Sequence, residues 1–112
     1  MKNDLLYLSN IQECIAAIES YTLDGKNTFM QTRMIQDAVI RNFEIIGEAT
    51  KRLSLQTREK YTEVPWRRIA GLRDVLIHDY LRVDLEEVWG IISDYLPDLK
   101  AKIERIIDEM ST

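Results

Sequence analysis

The stretch TFMQTRMIQDAVIRNFEIIGEATKRL, Thr28 to Leu53, decides the fold. Within it Ile35, Val39, Asn42, Ile46, Ala49 and Leu53 recur at alternating steps of four and three, which places them on one stripe of an α-helix. Thr28 and Gln31 have the order of a capping box, so one helix is expected from Thr28 to about Leu53, roughly 38 Å at 1.5 Å per residue. Asn42 is the polar member of the seam. Such a residue either fixes helix register or oligomeric state, or aims a polar group into a site.

The same period continues on both sides. Leu8, Ile11, Ile15 and Ile18 predict a first helix from an Asn3 N-cap to about Thr22. Asp24-Gly25-Lys26-Asn27 reads as the turn before the seam helix. Ser54 suits the cap of a short helix from about Leu55 to Lys60, and Pro65 suits the start of the next, running from Trp66 toward His78. In that helix Leu72, Val75 and Leu76 form the expected buried side. Asp84 opens a last apolar run from Leu85 to Met110, which Pro97 must kink or break. No stretch alternates as a strand does. Gly47, Gly71 and Gly90 fall inside predicted helices, where glycine is unfavourable by roughly 1 kcal/mol relative to alanine, so close approach of another helix or a ligand is expected. Gly71 stands out, because it shares a face with His78.

A chain of 112 residues suits one modest core, and 46% apolar with 30% charged residues is a globular balance. The polar start Lys2-Asn3-Asp4 is unlike a signal peptide, no run reaches the length of a membrane span, and the lone Cys14 suits a reducing cytoplasm. Cys14 is expected to be a small packed residue rather than a nucleophile. One cysteine and one histidine leave no structural zinc site within a chain. The net charge is −4, yet residues 51–82 carry eight basic against four acidic side chains. That excess fits either a polyanion-facing segment or ordinary surface variation.

Residues 73–80, RDVLIHDY, hold the chain's only histidine, His78, with Arg73 five positions before it and Tyr80 two after. On spacing alone the histidine is either a helix-end cap or a catalytic group, and Arg73 either a salt-bridge partner (to Asp74 or Glu63) or a phosphate ligand. Positions five apart lie about 140° apart around a helix, too far for one chain's pair to grip a small group together. Two copies meeting across a two-fold axis remove the difficulty, since each His78 then faces the other chain's Arg73. Such a composite site suits RNA cleavage without a metal. A neutral imidazole takes the 2′-OH proton, a second acid protonates the departing 5′-oxygen, and guanidinium groups meet the developing charge on phosphate. DNA lacks the 2′-OH and offers no nucleophile.

Together with Arg41-Asn42-Phe43-Glu44-Ile45-Ile46-Gly47-Glu48-Ala49, Pro65-Trp66-x-x-Ile69-Ala70-Gly71-Leu72 and Val88-Trp89-x-Ile91-Ile92, this motif resembles the HepT group of the HEPN superfamily, ribonuclease toxins partnered by small nucleotidyltransferase antitoxins of the MntA type. The resemblance covers nearly the whole chain. It implies an all-α, HEPN-like antiparallel bundle of about five helices over residues 1–112, assembled as a two-fold symmetric homodimer. It implies a cytoplasmic, metal-independent RNA endonuclease without a cofactor, the toxin of a type VII-like toxin–antitoxin pair. Arg73 and His78 match the catalytic pair, Asp74 the polar position after the arginine, and Asn42 and Glu48 supporting polar positions. Tyr80 matches the tyrosine to which such antitoxins transfer AMP. The alternative is a dimeric HEPN module without catalysis that binds a nucleotidyltransferase or a nucleotide.

Overall fold

A computed structural model of the protein describes residues 3–78 and 82–112, with the side chain of His78 outside the description. The described residues are helical with no strand: α1 (Asp4–Tyr21), α2 (Lys26–Gln31), α3 (Arg33–Arg52), α4 (Leu55–Lys60), α5 (Trp66–His78), α6 (Leu85–Gly90), a π-helical stretch (Ile91–Tyr95) and α7 (Leu96–Met110). About five helices were expected. The higher count follows from one break inside the seam helix and from the division of the last apolar run into α6 and α7.

That break lies at Thr32, whose extended backbone (φ −122°, ψ 98°) ends α2 and starts α3. Gln36 holds the corner by donating from Nε2 to the carbonyls of Phe29 (2.9 Å) and Met30 (3.1 Å), two of α2's orphaned acceptors. The Thr28–Gln31 capping box does not form, because the helix begins two residues earlier, at Lys26. Its N-cap, Gly25, has a φ of +91°, which residues with a Cβ rarely adopt. Asn3 stands at the N-cap of α1 as expected, but its side chain makes no capping bond. Ser54 and Asp84 do act as caps, accepting from Thr57 N and from the amides of Glu86 and Glu87.

The seam survives the break. Val39, Ile46, Ala49 and Leu53 are each at most 4% exposed, and they meet Leu8, Ile11, Ile15 and Ile18 of α1, none above 1%. Burying a side chain of this kind stabilises by about 1.5–3 kcal/mol, so this pairing carries much of the fold. Helix α1 runs opposite to α3, with Asp4 bonded to Ser54 just beyond α3's end. It also runs opposite to α7, since Glu19 in α1's last turn pairs with Lys100 near α7's start at 3.1 Å. Phe29 on α2 stacks on Trp89 of α6 (5.5 Å between ring centres), and Lys26 pairs with Glu86 beside it. Pro97 lies in the first turn of α7, where the missing N–H is harmless, and the preceding five residues widen into the π-helical stretch. Cys14 is buried, and burial raises its thiol pKa, as suits a packed rather than a reactive cysteine.

Asp4 is the buried carboxylate that locks α1 to the α3–α4 corner. It accepts from Ser54 N, Ser54 Oγ and Thr57 Oγ1. Burial alone would raise its pKa, but the bonds from Ser54 and Thr57 outweigh this and hold it below the ordinary 3.8. A carboxyl depressed on folding stabilises fully above the unfolded value and loses that contribution as pH falls through the folded one. Asp4→Ala is therefore expected to cost about 1–3 kcal/mol near neutrality, with a Tm roughly 4–8 °C lower per kcal/mol, and the deficit should shrink below about pH 4. Thermal melts of both proteins across pH 3–7 measure this, and an equal deficit at every pH would remove the carboxylate's charge from the explanation.

Candidate active site between α3 and α5

Glycine at position 47 lets α5 lie directly on α3. A Cβ built on Gly47 falls 2.2 Å from Arg73 Cβ and 3.2 Å from Arg73 Cα, so no larger residue fits without moving a helix. Of the three helical glycines at which close approach was expected, Gly47 has it, because α5 turns its Arg73 edge toward α3. No described residue lies within 4 Å of a Cβ on Gly71 or Gly90. The same rotation corrects the buried side of α5. Leu76 is buried and Leu72 partly so, whereas Val75 is 55% exposed and Ile77 41%.

Arg73, thus fixed at its root, is 27% exposed and sits in a chain of alternating charges. Its guanidinium forms an ion pair with Glu48 Oε2 (3.2 Å) and donates to Asp74 Oδ1 (3.1 Å). Glu48 in turn holds Arg52 (3.2 Å), and Asp74 holds Lys51 (2.8 Å). The Lys51 bond first, and the Arg73 bond second, keep the Asp74 carboxyl below the usual carboxylate range. Arg52 is held above its usual value first by its bond to Tyr7 and then by Glu48. Arg73 Nε is buried and bonds to no described residue, so this guanidinium is only partly satisfied. The group opens onto a cleft of about 290 Å³ lined by Tyr7, Asn10, Arg41, Glu44, Glu48 and Arg52 among others.

The structure therefore brings Arg73, Asp74 and Glu48 together. Of the two partners considered for Arg73, Asp74 is one; Glu63 is bonded to Arg105 instead. Asn42 is not in this chain of charges: its Nδ2 donates back to Ala38 O, 2.8 Å away on its own helix. His78 is the last residue of α5, and its side chain and the whole of Tyr80 lie outside the described residues. Sequence reasoning missed Lys51, Arg52 and Tyr7 as members of the site. A signal for the first two was present, since both lie one turn after Glu48 on a helix whose apolar stripe faces elsewhere.

Comparison with known proteins gives one consistent picture. The family model described as HepT-like, Ribonuclease HepT-like, matches residues 11–106. A Methanocaldococcus jannaschii protein named for gamma-glutamylcyclotransferase and provisionally for RNase activity is 44% identical over 98% of this chain, which spans only 50% of that protein's length. A Caldanaerobacter subterraneus protein provisionally named an RNase is 38% identical over 97% of this chain and 98% of its own length. The probable ribonuclease HepT of Thermococcus cleftensis is 40% identical over 89% and 92%. Among solved structures, the tri-AMPylated Shewanella oneidensis HEPN toxin in complex with MNT antitoxin superposes with a TM-score of 0.67, covering 99% of this chain and 98% of that one. At 22% identity, that likeness establishes a shared fold.

Proposed function

This chain belongs to the HepT-like ribonuclease family, and from that membership we propose that it is a metal-independent RNA endonuclease, the toxin of a toxin–antitoxin pair whose partner is a nucleotidyltransferase. The observation that carries the reading is Arg73: its Cβ is pressed against Gly47, its guanidinium opens on a cleft, and its buried Nε bonds to no described residue. A cation held by carboxylates but not fully satisfied can exchange them for a phosphate at little cost. Residues 1–112 act as one helical domain in this reading.

Catalysis takes two copies. Arg73 and His78 diverge by about 140° on one helix, and Val75 and Ile77, on different sides of α5, leave apolar surface exposed that a second copy can cover. In the composite site His78 takes the proton from the 2′-OH while that oxygen bonds to phosphorus. Arg73 of the partner subunit donates to the non-bridging oxygens as charge grows, and a second acid protonates the departing 5′-oxygen. The products are a 2′,3′-cyclic phosphate and a 5′-OH. Asp74 and Glu48 orient Arg73, and Asn42 supports α3's register.

Control is exerted at Tyr80, two residues past the end of α5. Its phenolic oxygen attacks the α-phosphorus of ATP on the partner enzyme, pyrophosphate leaves, and AMP is added beside His78. The negative charge and bulk then exclude RNA from the cleft. The AMP groups on the structural neighbour support this step. Induction of the chain alone is expected to arrest growth, and co-expression of the cognate nucleotidyltransferase to relieve it with AMP on Tyr80, read by peptide mass spectrometry. Tyr80→Phe should stay unmodified and toxic beside the partner. AMP confined to Tyr7, Tyr21, Tyr61 or Tyr95 would overturn the assignment, and harmless induction of the chain alone would overturn the toxin reading.

A further inference from the structure

A second groove, of about 640 Å³, runs along the other side of α5 and is lined by Lys51, Arg58, Thr62, Arg67, Arg68 and Asp74 among others. Apart from Lys51, its cations differ from most of those elsewhere on the surface. Lys26, Arg33, Arg41, Lys100, Lys102 and Arg105 each face a carboxylate. Arg58, Arg67 and Arg68 make no ion pair with any described residue, and Arg58 Nε is buried without a hydrogen-bond partner among them. Three unneutralised guanidinium groups thus gather in one groove of a chain whose net charge is −4. A groove lined by one sign of charge focuses the field and raises the local concentration of anions.

Two features connect the groove to the candidate active site. Lys51 and Asp74 belong both to its wall and to the chain of charges that ends on Arg73. Gly71, also on its wall, leaves open space where a side chain would stand, so a backbone can come close to α5. We propose that this groove holds the phosphodiester backbone of single-stranded RNA flanking the scissile phosphate, with Arg58, Arg67 and Arg68 as its phosphate ligands. The inference rests on the ribonuclease reading for the position of the scissile phosphate. A single strand fits better than a duplex, because in-line attack by a 2′-OH needs a sugar–phosphate free to leave A-form geometry. The groove offers charge without base readout, so binding should tolerate sequence.

The test uses full-length protein and a fluorescent 20-nucleotide RNA, 2′-O-methylated throughout so that it binds but cannot be cut. Arg67→Ala and Arg68→Ala are combined, since both side chains are exposed and the fold does not depend on them. Arg33→Ala with Lys100→Ala removes the same charge outside the groove. The groove variant should weaken binding at least about tenfold at 50 mM salt and flatten the plot of log affinity against log salt by about 1.4, or 0.7 per lost phosphate contact. The control pair should shift affinity by less than about twofold. Equal effects from both pairs would reduce the groove to bulk charge and overturn the proposal. Unchanged RNA affinity with weakened binding of the cognate nucleotidyltransferase would give the groove to that partner, and also overturn it. If the wild type binds as described but cuts no unmodified RNA, the groove stands and the catalytic reading falls. If it cuts RNA while the groove variant binds normally, the groove alone falls.

Discussion

His78→Ala is expected to slow RNA cleavage by about 10²–10⁴-fold, the usual worth of a positioned general acid–base group. Arg73→Ala should lose about 10²–10³-fold, as when a single charge-stabilising donor is removed. Arg73→Lys should recover only part, since an ammonium cannot offer the planar fork that spans Glu48, Asp74 and a phosphate. Single-turnover cleavage of a short RNA reads all three. The mixture of the two inactive proteins carries more information. If each site joins Arg73 of one subunit to His78 of the other, a heterodimer of the single mutants keeps one intact pair and regains part of the rate. If both act from the same subunit, the heterodimer stays dead.

Gly47→Ala is expected to lower the same rate by about 10²-fold, although no atom of Gly47 touches substrate. The added methyl meets Arg73 Cβ at 2.2 Å and its Cα at 3.2 Å. Backbone cannot swing aside as a side chain can, so α5 must move away from α3 and carry Arg73 with it. Overpacking of this kind costs about 1–3 kcal/mol, which the gain in helix propensity of about 1 kcal/mol only partly offsets. Gly90→Ala is the matched control, a helical glycine with nothing within 4 Å of the new methyl, and should gain stability. Melting temperature and cleavage rate of the two variants separate crowding from propensity. A Gly47→Ala protein with full rate and a raised Tm would refute the wedge.

How these side chains meet was only partly legible in the sequence. Period and caps located α1, α4, α5 and the seam of α3, because a helix that buries one face must repeat its apolar residues at three and four. The break at Thr32 left no such trace. Neither glycine nor proline stands there, and the corner is held by the Gln36 side chain reaching back to α2. Val75 shares the period of Leu72 and Leu76 yet stays exposed, since α5 rests on α3 along the narrower arc that ends at Arg73. The sequence marked Gly47, Gly71 and Gly90 alike for close approach, and only the pairing of helices decides which of them is crowded. In the site, the chemical types of Arg73, His78 and Tyr80 and their spacing were legible. The tie from Glu48 to Arg73 joins residues 25 positions apart and needed the fold. Tyr80 and the imidazole of His78 rest on motif and family, because they lie outside the described residues.

The central claim is that this chain cuts RNA through Arg73 and His78 using the substrate's own 2′-OH. Its most direct measurement is the chemistry of the cut ends. Purified protein is incubated in EDTA with an RNA containing one cleavage position and with its twin carrying 2′-deoxyribose there, and the products are identified by mass spectrometry. The expected result is a 2′,3′-cyclic phosphate, or its hydrolysed form, and a 5′-OH from the first substrate, an intact second substrate, and little product from the His78→Ala protein. Cleavage of the deoxy twin, cleavage that appears only when magnesium is restored, or equal product from the His78→Ala preparation would contradict it.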